Sequence, residues 1–271
     1  MRSVSRLNEL FTFSSLKNAL FITLLRKTKL IHPGGQSQLV SGIALGTFEI
    51  FSKLDMDARN EIARNTHQRI VEKGQYIISA ENNDSDVYFL ISGNVRVCSF
   101  SHNGKPIHFD ELSSGMMFGE LSAIDNRERS SDCISVSKCT LAVMKASQFR
   151  QIISDHQTVR DAVLLRLASM VRDNMQRVYE FSALSVPQRI RCELLRLASV
   201  AESSQASEPD SDIRLVAVPT HAEIAARIST HREAVTRELK SLETLGIITW
   251  KPKKYVIHDI TYLSEIKIKP N

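Results

Sequence analysis

The sequence predicts an α+β chain: an antiparallel β-roll, then one long helix, then a small helical unit closed by a β-hairpin. Three observations predict it. Short β-type runs separated by turn residues fill positions 48 to 149. An apolar repeat at helical spacing follows Ser154, and two capped helical segments with a basic hairpin occupy Thr220 to Ile257. The hydrophobic period changes from one element to the next, which is what separates strands from helices in a bare sequence.

Composition sets the outer bounds. The 271 residues are 42% hydrophobic and 24% charged, the balance of a globular chain with room for two cores. No apolar run nears the roughly 18 to 20 residues that cross a bilayer. The longest, Ala19 to Leu25, is short and flanked by Lys17, Arg26 and Lys27, so no membrane partner is expected and a cytoplasmic location is. The net charge of +5 favours a polyanionic partner only weakly, because many basic proteins bind no nucleic acid. Cys98, Cys133, Cys139 and Cys192 show no CxxC and no zinc spacing with histidine. They are expected to be reduced thiols, with metal sites absent.

Residues 1–46 form a basic extension, with Arg2, Arg6, Lys17, Arg26, Lys27 and Lys29 against Glu9. Leu7, Leu10, Phe11 and Leu16 can make one face of a short helix before His32-Pro33-Gly34-Gly35 breaks the pattern. No A-x-A-like site follows a proper apolar core, so it does not read as a secretory signal. Its role stays open among an arm, a packing element and a start codon placed upstream.

Residues 47–153 carry the β-texture. Tyr76–Ile78, Val87–Ile91, Val95–Val97 and Leu141–Met144 are strand candidates, punctuated by Lys73-Gly74, Ser92-Gly93-Asn94, Asn103-Gly104 and Ser114-Gly115. Asn103-Gly104 suits a tight hairpin, since both residues tolerate positive φ. Evenly spaced short strands of this kind make a barrel or roll.

Residues 154–184 read as a helix. Val163, Leu167, Met170, Asn174 and Phe181 recur at heptad-like spacing, with Val178 close to the same stripe, and a single apolar seam predicts a partner helix and hence a homodimer. A helix lying on its own domain gives a similar stripe. Pro187 then suits the first turn of another helix through Ile190, Leu194, Leu195 and Leu197, and Glu202 to Asp212 reads as an exposed loop.

Residues 185–265 end in the sharpest local pattern. Thr220 and Glu223 have the spacing of a capping box. Ala222, Ile224, Ala225 and Ile228 supply an apolar face, and Ser229-Thr230 a turn and second cap. The next segment buries Val235, Leu239 and Leu242 and presents Arg232, Glu233, Thr236, Arg237 and Lys240. Gly246 ends it, and two strands follow with Lys251-Pro252-Lys253-Lys254 between them. This is a winged helix-turn-helix, whose second helix enters the major groove of double-stranded DNA. Arg232 and Arg237 can grip guanine O6 and N7, Glu233 can accept from cytosine N4, and a basic hairpin can lie on phosphates. A lone helix with a charged face would read as merely solvated; cap, turn, helix and basic hairpin in this order do not.

With those residues in view, the chain from about Phe48 to Leu263 resembles the catabolite activator protein family, the cyclic-AMP receptor/FNR superfamily of bacterial regulators. Phe118-Gly119-Glu120-Leu121-Ser122-Ala123, followed by Arg129-Ser130-Ser131, is similar to the phosphate-binding cassette of cyclic-nucleotide domains. Thr220 through Glu243, with Arg232-Glu233 and Arg237, resembles the family's Arg-Glu-x-x-x-Arg recognition helix. The resemblance implies a cyclic-nucleotide-binding domain, a dimerisation helix and a DNA-binding domain whose contacts run from Thr220 to Lys240.

It implies an allosteric ligand, cyclic AMP or cyclic GMP, with Glu120 on the ribose 2′-hydroxyl and a backbone amide near Gly119 approaching it. Arg129 would hold the cyclic phosphate as a charge-assisted fork, with Ser130 donating a further bond. The sequence departs from the family twice: Glu128 stands where many cassettes have proline, and Asn174-Met175 stand where the cyclic-AMP receptor has Thr-Ser against the adenine. Asn174 offers both a donor and an acceptor to a purine edge, and is equally a seam residue that fixes register. RNA polymerase is a further implied partner, with Glu202 to Asp212 the place to look.

Other readings keep the DNA reader and exchange the ligand for haem, another small molecule or none; His67, His102 and His108 form no haem motif. A signalling module without a DNA role is opposed by the Arg232 to Lys254 segment. No nucleophile, phosphate-loop or metal constellation points to an enzyme.

Overall fold

A computed structural model describes residues 38–102, 104, 106–204, 214–217, 219–252 and 254–268. The extension up to residue 37, Asn103 of the expected hairpin, Lys253 at the hairpin tip and residues 205–213 lie outside the described residues. The chain divides between Ala168 and Ser169 into two units.

The first unit contains β1 (Gln38–Leu39), α1 (Gly42–Leu45), a 3-10 turn (Glu49–Phe51), α2 (Met56–Arg64), β2 (His67–Val71), β3 (Tyr76–Ile78), β4 (Val87–Ser92), β5 (Val95–Phe100), β6 (Pro106–Leu112), β7 (Met117–Phe118), α3 (Glu120–Asp125), β8 (Asp132–Ser135), β9 (Cys139–Met144), α4 (Ala146–Asp155) and the start of α5 (Gln157–Ala183). Its two sheets are antiparallel, in the orders β1-β2-β9-β4-β7 and β3-β8-β5-β6. This is the expected roll.

The central strands β4 and β9 serve two cores at once. Successive side chains of a strand face opposite ways. Val87, Phe89, Ala142 and Met144 accordingly join Phe48, Phe51, Phe149 and Val163 in one cluster, where the Phe89 ring lies 5.2 Å from Phe48 and 5.3 Å from Phe51. Tyr88, Leu90, Leu141 and Val143 join Ile78, Val95, Leu112 and Phe118 in the other. Both faces are dry, so these strands read as unbroken apolar runs. Val40 and Leu45, counted with the extension in the sequence, are buried in the first cluster. All four cysteines are buried.

Two local expectations change. Five residues separate β5 from β6, so the connection is not a two-residue turn, although Gly104 does take φ +71°. The run Ala146–Asp155, to which no element was assigned, is a helix that buries Phe149 and Ile152.

The seam along α5 also shifts. Val163 is buried and Leu167 is packed against the first unit's own core, so both are spent within the chain. The exposed apolar residues are Leu164, Leu165, Val171, Met175, Val178, Tyr179 and Phe181. Leu164, Val171 and Val178 recur every seventh residue; Val178 and Phe181 belong to the expected stripe, whereas Leu164 and Val171 stand one position after Val163 and Met170.

The second unit continues with α6 (Val186–Ser204), β10 (Arg214–Ala217), α7 (His221–Arg227), α8 (Arg232–Thr244), β11 (Ile248–Lys251), β12 (Lys254–Ile257) and α9 (Ile260–Ile268). Pro187 lies in the first turn of α6, where its missing N–H costs nothing. The helix runs to Ser204, so the expected loop cannot begin at Glu202. Ile190, Leu194, Ile224, Val235, Leu239, Leu242, Ile257 and Leu263 form one core beside the sheet β10-β12-β11. No described helix is long and apolar enough to cross a membrane.

Candidate ligand cradle and nucleic-acid interface

In the first unit, β7 and α3 meet at Gly119, which takes φ +82°. A Cβ there would stand 2.8 Å from Arg129 Nη1 and 2.9 Å from the Asp86 carbonyl oxygen. Only glycine fits both the backbone and the space. The segment from α3 to β8 is held by Ser122 Oγ donating to the Glu128 carbonyl at 3.3 Å. Arg150 Nη1 donates to the Ala123 carbonyl at 2.7 Å and to Asn126 Oδ1 at 2.9 Å.

Arg129 is 6% exposed. Its Nη1 donates to the Gly119 carbonyl at 2.8 Å and its Nη2 to the Asp86 carbonyl at 2.8 Å. Nη2 also pairs with the Asp84 carboxylate, while the buried Nε has no partner among the described residues. Glu120 is 3% exposed. Burial pushes its carboxyl above the ordinary range, against the pull of its own backbone N–H and of the Arg166 and Arg129 charges. Arg166 donates from Nη2 to the Met117 carbonyl at 2.7 Å, and its Nε is likewise buried without a partner.

Gly119, Glu120 and Arg129 are therefore brought together, whereas Ser130 lies exposed beside them. A buried guanidinium with an unused N–H beside a side-chain-free backbone suits a small anion. Asn174 lies exposed on the second half of α5, in the second unit. The sequence reading missed Asp84 and Arg166; an acidic pair, Asp84 and Asp86, just ahead of a strand was the only visible signal of the first. No described group of His, Cys, Asp and Glu is arranged to hold a metal.

In the second unit, α7 opens with a complete capping box: Glu223 N donates to Thr220 Oγ1 at 3.2 Å and Thr220 N to Glu223 Oε2 at 2.9 Å. Ser229 then takes φ +52°, and Thr230 N reaches back to the Ala225 carbonyl at 2.9 Å. The residue capping α8 is His231, without a side-chain bond; Thr230, expected there, is buried in the turn instead. Ala222, expected on the apolar face, is exposed.

Arg232, Glu233, Thr236, Arg237 and Lys240 are all exposed on α8. His221 links the helices: Nδ1 stands 2.8 Å from Thr236 Oγ1 and Nε2 3.3 Å from the Tyr255 hydroxyl. Thr236 Oγ1 already donates to the Arg232 carbonyl at 3.0 Å. The proton must then sit on Nδ1, and Nε2 accepts from Tyr255. Burial, with the Arg232 charge, lowers the His221 pKa and keeps the ring neutral. Glu243 Oε1 accepts from Trp250 N at 3.1 Å, tying α8 to the hairpin β11–β12.

Behind the helices lies an ion network. Glu193 on α6 accepts from Arg227 of α7 at 3.0 Å and also pairs with Arg196, which reaches Glu180 near the end of α5. Arg191 Nε donates to Glu238 of α8 at 2.7 Å.

Comparison with known proteins agrees with this geometry. Residues 68–156 match the model of the cyclic nucleotide-binding domain, and residues 188–266 that of the Crp-like helix-turn-helix domain. The cAMP-activated global transcriptional regulator CRP of Pasteurella multocida is 29% identical over 184 residues, 67% of this chain and 85% of that protein. The cAMP-activated global transcriptional regulator Vfr of Pseudomonas aeruginosa is 26% identical, over 73% of this chain and 92% of that protein.

Among solved structures, a CooA mutant from Carboxydothermus hydrogenoformans shares the fold with a TM-score of 0.66 at 14% identity, over 85% of this chain and 97% of its own. The c-di-GMP responsive regulator CLP of Xanthomonas campestris does so with 0.61 at 20%, over 72% and 95%. With both domain models matched in order and the reading helices in place, the chain belongs to the CRP/FNR superfamily of ligand-responsive, DNA-binding transcription regulators, which are not enzymes.

Proposed function

We propose that this chain is a homodimeric, cytoplasmic transcription regulator whose DNA affinity is set by a cyclic nucleotide, cyclic AMP before cyclic GMP. The observation that carries the ligand is the buried Arg129 guanidinium folded against the side-chain-free Gly119, with buried Glu120 in the same cassette. Arg129 and Ser130 take the cyclic phosphate, and Glu120 the ribose hydroxyl. CRP and Vfr, the relatives named above, are described as cAMP-activated. The exposed seven-residue rhythm on α5 supports a partner helix, as a two-stranded coil requires. Asn174, beside that seam, is the residue we assign to the purine edge and to the coupling of ligand and dimer. Residues 154–184 then act as the dimerisation helix between a sensor (47–153) and a reader (185–265).

Thr220, Arg232, Glu233, Thr236, Arg237 and Lys240 contact the operator, and two recognition helices in a dimer read half-sites one DNA turn apart. A ligand that binds one helix arrangement better than the other shifts the equilibrium between them. RNA polymerase is the partner for activation. The test is calorimetric titration with cyclic AMP and cyclic GMP, followed by operator binding with and without nucleotide in wild type, Arg129→Ala and Asn174→Ala. Arg129→Ala is expected to abolish nucleotide binding. Absence of binding by wild type to either nucleotide rejects the reading.

A second reading, a regulator answering another ligand or none, is favoured by one observation: Asp84 already neutralises Arg129.

A further inference from the structure

Asp84 lies between β3 and β4, in a loop tied down on both sides. Ala80 N donates to Asp132 Oδ1 at 2.9 Å, and Lys145 Nζ pairs with Asp86 at 2.8 Å. The loop therefore delivers the Asp84 carboxylate to one place, the Nη2 edge of Arg129. The two partners differ sharply in hydration. The Arg129 side chain is 2% exposed, that of Asp84 39%.

A guanidinium removed from water needs a counter-charge, because an unpaired buried ion is costly. Carbonyl oxygens of Gly119 and Asp86 solvate it, and neither carries that charge. Asp84 supplies it. The Asp84 charge is felt locally: after burial itself, it is the largest influence raising the pKa of Tyr88, which reaches about 12.

We propose that Asp84 is the resident counter-anion of the cradle, and that the ligand's phosphate binds by exchanging with it. This rests on the nucleotide reading given above. The more exposed partner is the one that leaves, since its carboxylate is already in part hydrated, while the buried guanidinium cannot follow. Ligand affinity is then a difference between two anion–Arg129 pairings. Asp84 lowers it while keeping the empty cradle folded, and the same residue makes ligand entry and movement of the 79–86 loop a single event. Substitutions at Asp84 tune the concentration at which the regulator responds without touching a ligand-contacting group.

The experiment is calorimetric titration of cyclic AMP into the full chain, as wild type, Asp84→Asn, Asp84→Ser and Asp84→Glu, with thermal unfolding of each. Removing the charge is expected to tighten binding about tenfold or more, the worth of one charge-assisted bond. It should also lower the melting temperature of the ligand-free protein and enlarge the rise on adding nucleotide. Asp84→Glu keeps the charge and is expected to stay within about threefold of wild type. Wild type and both neutral variants binding equally well overturns the exchange and leaves the nucleotide reading intact, as does weaker binding by both neutral variants. If no variant binds cyclic AMP, or cyclic GMP titrated in its place, both are overturned. Binding by the neutral variants alone supports the exchange and rejects the nucleotide as the ligand of the native chain. Should Asp84→Asn fail to fold, Asp84→Ser decides on the same criteria.

Discussion

Glu193 and Arg227 share a 3.0 Å ion pair in which the carboxylate is 2% exposed and the guanidinium 16%. The same carboxylate holds Arg196, which reaches Glu180, so two residues of α6 join the end of α5 to the first reading helix. Breaking a buried network from one side strands the remaining charges. Glu193→Gln is expected to destabilise the second unit by about 2 to 3 kcal/mol, read by urea unfolding followed at Trp250. A change below a few tenths would remove the network from the stability of this unit.

Glu120 carries a cost when ionised, because burial raises its pKa. A carboxyl raised in the folded state contributes stability below its unfolded value, near pH 4.5, and that contribution is lost as pH rises through the folded value. Glu120→Gln should therefore melt higher than wild type at pH 7, with the gap closing near pH 4. Its cyclic AMP affinity should fall about 10- to 100-fold. Differential scanning calorimetry and titration give the two readouts on one sample.

His221 runs the other way. Its pKa lies below 6.5, so its contribution is present above pH 6.5 and fades as acid protonates Nε2 and expels the Tyr255 hydroxyl. Proton NMR of the ring should give a midpoint below 6.5. His221→Asn should flatten the pH dependence of operator binding between pH 5 and 7. A ring that titrates above 6.5 contradicts the Nδ1–H arrangement.

Arg232 and Lys251 separate base reading from phosphate holding. Arg232→Ala should cost about 1–3 kcal/mol on the operator and relax the preference at one base pair. Lys251→Ala should weaken all sequences alike and reduce the salt slope by about one. Fluorescence anisotropy at several salt concentrations distinguishes them.

The α5 surface gives a contrast between neighbours. Val171→Asp with Val178→Asp, both more than half exposed, should yield folded monomers in sedimentation. Val163→Asp should instead unfold the first unit, since Val163 is 3% exposed within the core. Dimers persisting in the double variant would move the interface elsewhere.

Local rules were legible in the sequence wherever one element decided the outcome. The capping box at Thr220 and Glu223, the buried stripe Val235, Leu239 and Leu242, and the hairpin after Gly246 all stand as read. The seam on α5 did not, because periodicity reports which residues are apolar and not which neighbour covers them. Val163 and Leu167 belong to a core that includes residues more than a hundred positions away, such as Val40 and Phe48. The pairing of Asp84 with Arg129 was hidden for the same reason: the two stand 45 positions apart in the chain. The role of His221 was hidden likewise, because its partners, Thr236 and Tyr255, lie 15 and 34 residues on.

The bond from Trp250 to Glu243 makes a caliper of the second unit. If α8 reads bases and the hairpin holds phosphates as proposed, this bond couples the two and helps set the offset between a base edge and the flanking backbone. Duplexes whose groove width departs from that offset must deform to be held, and operators differing only in flanking A-tracts should be ranked by stiffness.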